Sequence, residues 1–487
     1  MIALLITMPF LFGVISFYIR HDEMRRGMML VCAGMHLALS GFVLIKGGGV
    51  FLSGWFQFDS VSVVFLMITS TLFFGSVLYG IQYLADEKRH LADEQKRHER
   101  FSQEAVFTGC FLLFLSMMTI VIASQQLALL WVGIEATTLA SAPLIYFHRT
   151  RRSLEATWKY LLICSVGIAI ALLGVFFLAV SNNNRGEMLL MQLLESARRN
   201  ELDLQWLKAA FLLLFVGYGT KMGLAPMHTW LPDAHSEAPS VVSALLSGAL
   251  LNCAFLGILR TYQICAAAGL ASYCQDIFIF FGLLSVFFAA VFILGQTDYK
   301  RMLAYSSVEH MGIIILGIGL GGNAATGSLI NLVGHSLTKA ALFFTAGNIL
   351  SYSHTKQIPA IRGLMIGETR RLGVLWMTGF LLITGTPPSG IFLGKFMVLK
   401  EMLFSGKYWT SVLFLFALAL VFLGMARIFI SMTQGYKSVE EGMEKPAAGL
   451  RFYIPALFFI LVVAMGIYFP NWFTVILDKA VEELGGF

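Results

Sequence analysis

Four ionisable residues lie inside long apolar segments of this 487-residue chain. They are Glu135 in "WVGIEATTLASAPLIYF", Lys221 in "GYGTKMGLAPMH", Lys339 in "NLVGHSLTKAALFF" and Lys395 in "GTPPSGIFLGKF". A charged side chain at membrane depth is costly and tends to mark an ion pathway. A lysine can also change its protonation state when it is buried or when a carboxylate approaches. These four residues therefore predict proton transfer.

Glu135 and Lys221 are predicted to act as a pair contributed by two different helices. Moving the carboxylate away from the ammonium would release the lysine's proton, which makes a movable pair a proton switch. The structural alternatives are an interfacial glutamate at a short helix end and a snorkelling lysine. Snorkelling is the better interpretation for Lys159, Lys400 and Arg427, which lie near helix ends.

The segment that contains Lys339 also carries a histidine on the same helix face. His335 and Lys339 are four residues apart, so their side chains lie one above the other. Two such groups on an apolar helix indicate a proton wire. His310, which follows Glu309 in "YSSVEHMG", either extends this wire or is a core histidine whose hydrogen bonds are satisfied.

Lys221 and Lys395 stand beside clusters of helix-breaking residues. The stretch "GLAPMHTWLPDAHSEAPS" follows Lys221 and also contains His228 and His235, while "GTPPSG" precedes Lys395. Broken helices at membrane depth are tolerated only where protein or water satisfies the freed backbone groups. Both breaks therefore predict a hydrated interior, and the two histidines are candidates for the proton pathway.

The elements that position these residues are predicted to be membrane-spanning helices. The chain is 57% hydrophobic and 13% charged, and apolar runs of about 20 residues, the length that crosses a bilayer, recur along it. We place fourteen spans in an all-α polytopic protein, starting near residues 1, 28, 61, 105, 128, 155, 206, 239, 274, 301, 326, 372, 409 and 451. The first span has no A-x-A cleavage site after it, so we expect a retained helix.

The seventh and twelfth spans both contain a break with a lysine nearby, which predicts an internal repeat. Their odd separation of five spans makes the two units antiparallel, the pattern of inverted-repeat transporters. Lys and Arg are concentrated in the odd-numbered loops, notably at 86–100 and 148–152, which predicts periplasmic termini. The six cysteines form no C-x-x-C motif, so we expect no iron–sulfur or zinc site. The sequence also has no G-x-G-x-x-G motif or phosphate loop, so we expect no redox cofactor, and we assign no catalytic residue.

Several motifs resemble one known family. "TKMGLAPMHTWLPDAHSEAPS", "DYKRMLAYSSVEHMG", "GHSLTKAALFF" and "GTPPSGIFLGKF" are similar to signatures of the antiporter-like subunits of respiratory complex I, Mrp antiporters and group 4 membrane-bound hydrogenases. "GIEATTL" and "WKYLLICSVGIA" look closest to the hydrogenase-4/formate hydrogenlyase type. The resemblance implies fourteen helices with two inverted five-helix repeats and broken helices 7 and 12.

The resemblance also implies proton-handling roles and domain boundaries. The family's positions map onto Glu135, Lys221, Lys339 and Lys395. A Lys or His is common in the family's eighth helix, whereas this chain offers Ser243, Ser247 and Asn252, so hydroxyls and water would substitute. The expected units are N-terminal helices 1–3, two five-helix repeats and a C-terminal helix with its tail, over residues 1–104, 105–262, 263–434 and 435–487.

The leading functional prediction is a proton-translocating membrane subunit of a redox-driven complex in a prokaryotic inner membrane. The expected complex is a group 4 [NiFe] hydrogenase or formate hydrogenlyase, with other membrane subunits, a peripheral [NiFe] hydrogenase and iron–sulfur subunits as partners. The chain would be a subunit of a proton-pumping oxidoreductase complex and would carry no redox cofactor of its own. The alternatives are an Mrp-type Na⁺/H⁺ antiporter subunit and a structural anchor that moves no ions.

Overall fold

The structure is a computed structural model that describes residues 1–89, 94–183, 186–435 and 449–485. Its α-helices are, in chain order, α1 Ile2–Ser16, α2 Asp22–Lys46, α3 Ser60–Arg89, α4 Glu94–Ala123, α5 Leu127–Ile145, α6 Arg151–Ser181, α7 Leu190–Arg198, α8 Leu204–Met222, α9 Trp230–Glu237, α10 Ser240–Leu245, α11 Leu251–Ala267, α12 Ala271–Leu294, α13 Tyr299–Leu320, α14 Gly322–Ser353, α15 Arg370–Thr384, α16 Gly390–Phe404, α17 Tyr408–Thr433, α18 Leu450–Ile467 and α19 Asn471–Glu483. The described β-structure is a two-stranded ribbon of β1 (Val50–Phe51) and β2 (Phe56–Gln57). The side chains of the basic segment 86–100, on which the predicted orientation partly depends, lie outside the description.

The prediction of an all-α polytopic membrane protein is confirmed. Eleven helices in the described part of the chain are long and apolar enough to cross a membrane, and α1 is a shorter apolar helix. Each helix pairs its own backbone groups, which is the condition for crossing hydrocarbon. The pairs α8–α9 and α15–α16 lie where the sequence places the broken seventh and twelfth spans. The total of fourteen spans stays a prediction.

The two breaks have the same local chemistry. α8 ends against Gly223 and α15 against Gly385, and both glycines adopt left-handed backbone conformations, with φ of 82° and 86°. This conformation ends a helix and is readily accessible only to glycine. A proline follows three residues later in each case, Pro226 and Pro388, after a cis peptide bond. A glycine followed three residues later by a proline therefore interrupts the seventh and the twelfth predicted spans in the same way.

A third irregularity lies between α10 and α11. Residues Leu246–Leu250 form a π-helical turn, so that α10, this turn and α11 make one continuous span. The turn contains Ser247, one of the predicted pathway residues. π-turns are rare and occur frequently at functional sites because they redirect side chains away from the regular helical positions.

The span Ser240–Ala267 lies at the centre of the molecule together with α13 and α14. In the most apolar stretch of each of these three spans, 100%, 94% and 94% of the residues are buried, against 39% in α6, α12 and α17. The outer helices are therefore the ones that face lipid or neighbouring proteins. Polar groups on the central helices are shielded from the hydrocarbon, which is where ionisable residues of membrane proteins are expected.

Candidate functional site

The first polar cluster surrounds Lys221, whose side chain is fully buried at the end of α8. Its Nζ donates hydrogen bonds to Thr138 Oγ1 at 2.6 Å and to Tyr160 Oη at 2.7 Å. Tyr160 Oη also lies 2.6 Å from Ser141 Oγ. Helix α5 thus contributes two hydroxyls to this cluster, α6 contributes the tyrosine and α8 contributes the lysine. The ammonium is held by neutral hydroxyls, which can accept or relay a proton.

The predicted direct pair of Glu135 and Lys221 does not form in this structure. Glu135 accepts from Ser165 Oγ at 3.0 Å and, weakly, from Thr138 Oγ1 at 3.4 Å. Thr138 lies one turn after Glu135 on α5, so its hydroxyl stands between the carboxylate and the ammonium. Glu135 is partly exposed, whereas Lys221 is fully buried. The two groups therefore communicate through a hydroxyl and not through an ion pair.

Aromatic residues close the first cluster on the side of the helix break. The Lys221 ammonium lies 4.6 Å from the centre of the Tyr160 ring, a cation–π distance. The ring of Trp230, at the start of α9, is 5.0 Å from that of Tyr160. Its Nε1 donates to Thr220 O at 2.9 Å, so Trp230 satisfies a carbonyl at the end of α8 and ties the two half-helices together.

The second cluster surrounds Lys339, which is also fully buried. Its Nζ donates to Ser306 Oγ at 2.8 Å and to a backbone carbonyl of α13, and it lies 5.1 Å from the centre of the Phe343 ring. The rings of His335 and His310 stack with centroids 4.6 Å apart. No hydrogen-bond partner is found for either ring nitrogen of His335 in the described part of the chain. The predicted His335–Lys339 face is thus buried, with His310 beside it.

The third cluster contains an ion pair that the sequence did not predict. Lys395 Nζ is 2.8 Å from Glu309 Oε1, and both side chains are buried. The same Nζ faces the carbonyls of Ile383 and Thr384 at 3.4 and 3.5 Å. His310 Nε2 lies 3.0 Å from the Ile383 carbonyl. Carbonyls left free at the end of α15 therefore become acceptors for Lys395 and His310.

Glu309 was missed although the sequence contained the signal for it. The rule that selects Glu135, a carboxylate inside an apolar span, applies equally to a glutamate in "YSSVEHMG" on α13. Tyr160 and Thr138 gave no such signal, because hydroxyl side chains are ordinary in helices and only their contact with Lys221 distinguishes them.

Hydroxyl and amide groups occupy the eighth span, where the sequence lacks a Lys or His. Ser247, in the π-turn, lies 2.8 Å from Ser307 on α13. Asn252 Nδ2 donates to Ser336 Oγ on α14 at 3.0 Å. These contacts join the central helices by polar groups next to the Lys339 cluster. They agree with the expected hydroxyl substitutes, and a relay through them stays a prediction.

The two histidines near the first break have different surroundings. The His235 ring stacks on Phe343 with centroids 5.3 Å apart, and neither ring nitrogen has a hydrogen-bond partner among the described residues. Phe343 is also the ring below Lys339, so His235 lies beside the second cluster. His228 instead packs edge-on against three aromatic rings, those of Phe288, Phe292 and Tyr305. This setting favours a packing role for His228.

Buried lysines, two broken helices and a helical bundle define an antiporter-like membrane subunit. Residues 124–421 match the family model described as "NADH:quinone oxidoreductase/Mrp antiporter, TM". The chain is 37% identical to "Hydrogenase-4 component F homolog" of Methylacidiphilum infernorum over 71% of this chain and 72% of that protein. It is 31% identical to "F(420)H(2) dehydrogenase subunit N" of Methanosarcina mazei over 61% of each. The chain therefore belongs to this family, which confirms the resemblance.

Solved structures share the fold over nearly the whole chain. A chain of the archaeal membrane-bound sulfane sulfur reductase has a TM-score of 0.85 at 20% identity, with 99% of this chain and 97% of that chain covered. A chain of respiratory complex I from Thermus thermophilus gives 0.83 at 23% identity, covering 100% and 99%. A chain of the Mrp complex from Dietzia sp. gives 0.84 at 18% identity, covering 99% and 96%. At these identities the likeness concerns the fold.

Proposed function

We propose that this chain translocates protons across a prokaryotic inner membrane as a subunit of a redox-driven complex. The observation that carries this proposal is the set of buried lysines, Lys221, Lys339 and Lys395, at the centre of a mainly apolar helical bundle. A structural anchor has no need of such groups, because burying charge opposes folding. Each lysine also contacts a different set of proton-accepting groups.

The three clusters suggest how a proton moves. The Thr138 hydroxyl accepts from Lys221 and donates to Glu135, so it can take the lysine's proton while it releases its own to the carboxylate, and one proton moves from Lys221 to Glu135. Lys395 holds its proton beside Glu309, and separation of this pair would free the proton, which is the behaviour predicted from the sequence for Glu135 and Lys221. The switch expected in the first half of the chain is thus better represented by the ion pair in the second half.

A group 4 [NiFe] hydrogenase or formate hydrogenlyase is the favoured complex. Support comes from the 37% identity to a protein named "Hydrogenase-4 component F homolog". In this proposal the partners are other membrane subunits, a peripheral [NiFe] hydrogenase and iron–sulfur subunits, and both termini are periplasmic. The division into repeats at 105–262 and 263–434 belongs to the same proposal.

An Mrp-type Na⁺/H⁺ antiporter subunit is the second candidate, because the chain from the Mrp complex has an equally similar fold. The partners separate the two candidates. Purification of the tagged protein in mild detergent, with the co-purified chains identified by mass, should yield hydrogenase and iron–sulfur subunits. Recovery of small membrane subunits alone, together with sodium-dependent proton uptake, would overturn the redox proposal in favour of the antiporter.

Proton uptake is tested with the purified complex in liposomes, driven by the electron donor that its partners oxidise. Lys221→Met should lower the initial uptake rate by about tenfold or more, because the variant removes a proton carrier. Lys221→Arg should also fail, since a guanidinium keeps its proton. Lys208→Met is the matched control, because Lys208 lies on the same helix and is exposed. Normal uptake by an assembled Lys221→Met complex would refute the pathway.

A further inference from the structure

A cavity of about 340 Å³ opens where α6, α9, the start of α13 and the segment after α14 meet. A water molecule takes up about 30 Å³ of liquid, so this volume holds roughly ten waters. The charged residues of its lining balance, with four cations and four carboxylates: Arg152, Lys159, Arg301, Lys356, Glu155, Asp233, Glu237 and Asp298. A lining with equal numbers of positive and negative side chains does not select small anions or cations, but its charged groups keep the cavity hydrated.

Ion pairs across the cavity attach α9, the half-helix beyond the first break, to its neighbours. Asp233 accepts from Lys159 at 3.0 Å and from Arg301 at 2.7 Å. Glu237 accepts from Lys356 at 2.7 Å. All of these side chains are partly exposed, so water reaches the pairs and each contributes little to stability. Lys159, which the sequence suggested as a snorkelling residue, is part of this wall.

Lys300 lies behind this wall and is buried. Its Nζ donates to the Ala238 carbonyl, at the end of α9, at 2.6 Å. The charged groups that act on it are Lys356, Asp298 and Glu237, yet none of them is close enough to form an ion pair with it. Among the described residues, the hydrogen-bond acceptor of this buried amine is thus a neutral carbonyl, a setting in which a lysine can alternate between protonation states.

A polar route leads from Lys300 towards the second cluster. Ser243 Oγ lies 3.5 Å from the Ala238 carbonyl that Lys300 contacts, and it donates to the His235 carbonyl at 2.9 Å. Lys300 and Lys339 both lie close enough to the His235 ring for their charges to act on it. That ring is buried, and its nitrogens have no partner in the described part of the chain. His235 thus lies between a lysine at the cavity and the lysine of the second cluster.

We propose that this cavity is the aqueous mouth of the proton pathway and that Lys300 is the first buried proton carrier behind it. A hydrated proton binds the neutral amine of Lys300, and the resulting ammonium passes one proton to a ring nitrogen of His235 through water. The amine is regenerated, so the step moves one proton and no electrons. The inference rests on the proposed function, to which it adds a mouth and a carrier.

Substitution of Lys300 separates proton transfer from a structural role. Lys300→Met should lower uptake by the assembled complex about tenfold or more. Lys300→Arg keeps a donor for the Ala238 carbonyl, so it would restore a structural function, but it should still fail because arginine does not release its proton. Lys407→Met, at an exposed lysine, is the control. Normal uptake in Lys300→Met, or rescue by Lys300→Arg, would overturn the inference while leaving the proposed function intact.

A cysteine in the cavity tests the mouth without altering Lys300. Thr297 lines the cavity and is exposed, whereas the native cysteines are all buried. Thr297→Cys should react with a membrane-impermeant maleimide, and the bulky adduct should lower uptake by the folded complex several-fold. Failure of Thr297→Cys to react, or reaction without loss of proton uptake, would overturn the proposal that this cavity is the mouth of the pathway. Absence of uptake in the unsubstituted complex, or normal uptake in Lys221→Met, would instead overturn the proposed function and this inference with it.

Discussion

The buried pair of Glu309 and Lys395 permits a quantitative prediction. Their oxygen and nitrogen are 2.8 Å apart, and the side chains are 0% and 8% exposed. Glu309→Gln removes the carboxylate charge with little change of shape. The ammonium of Lys395 must then remain buried without a counter-charge or lose its proton, and either outcome lowers the free energy of unfolding.

The cost of losing the proton sets an upper limit on each single substitution. Neutralising a lysine with an ordinary pKa of about 10.4 at pH 7 costs about 4–5 kcal/mol, since one pKa unit corresponds to about 1.4 kcal/mol. For Lys395→Met, protonating the orphaned carboxylate from an ordinary pKa of about 4.3 costs about 3–4 kcal/mol. The double variant leaves no orphaned charge, so the coupling energy should be at least about 3 kcal/mol and can reach the sum of the two limits, about 7–9 kcal/mol.

A double-mutant cycle measures this coupling. The wild type, both single variants and the double variant are unfolded with SDS in mixed micelles at pH 7, and proton uptake is recorded for the same preparations. Lys400→Met is the control, because Lys400 is exposed on the same helix α16. A coupling energy below about 1 kcal/mol, the range of exposed pairs, would show that water screens this pair and would refute the buried-charge argument.

Two further predictions concern the first break and Asp59, a carboxylate that precedes the span formed by α3. Gly223→Ala should destabilise the protein by about 1–2 kcal/mol from the left-handed backbone alone. The total should be larger, because the added Cβ would lie 2.5 Å from Cδ1 of Leu231, a buried side chain that would have to shift within the packed core. At Gly406 φ is +70°, and an added Cβ would have none of the described atoms within 4 Å apart from its chain neighbours, so Gly406→Ala should show only the backbone cost in the same unfolding measurement. Equal losses for the two variants would contradict the contact argument. Burial alone would raise the pKa of Asp59, but the adjacent Arg260 guanidinium, at 2.5 Å, lowers it overall. A carboxylate with a lowered pKa stabilises the fold at pH values above its unfolded pKa of about 3.9. The wild type should therefore have a larger free energy of unfolding than Asp59→Asn at neutral pH, and this difference should disappear as the pH falls through and below about 4. A difference that stays constant with pH would refute the ion-pair argument.

The sequence by itself determined the membrane class, the places of the two breaks and the main buried lysines. These features are local, because apolar length predicts a span and Gly with Pro predicts an interruption. A lysine inside an apolar run is visible without any knowledge of its neighbours. Lys221, Lys339 and Lys395 are therefore buried as the sequence predicts, and Gly223 ends its helix where the breakers indicated.

Only the tertiary structure decided which of these groups meet. Contact between two helices depends on the rotation of each helix about its axis and on its depth, which close packing fixes and the one-dimensional pattern does not contain. For this reason Glu135 is separated from Lys221 by a hydroxyl, while Lys395 pairs with Glu309 instead. No sequence pattern distinguishes Lys300, and its position behind the cavity becomes visible only where four segments meet.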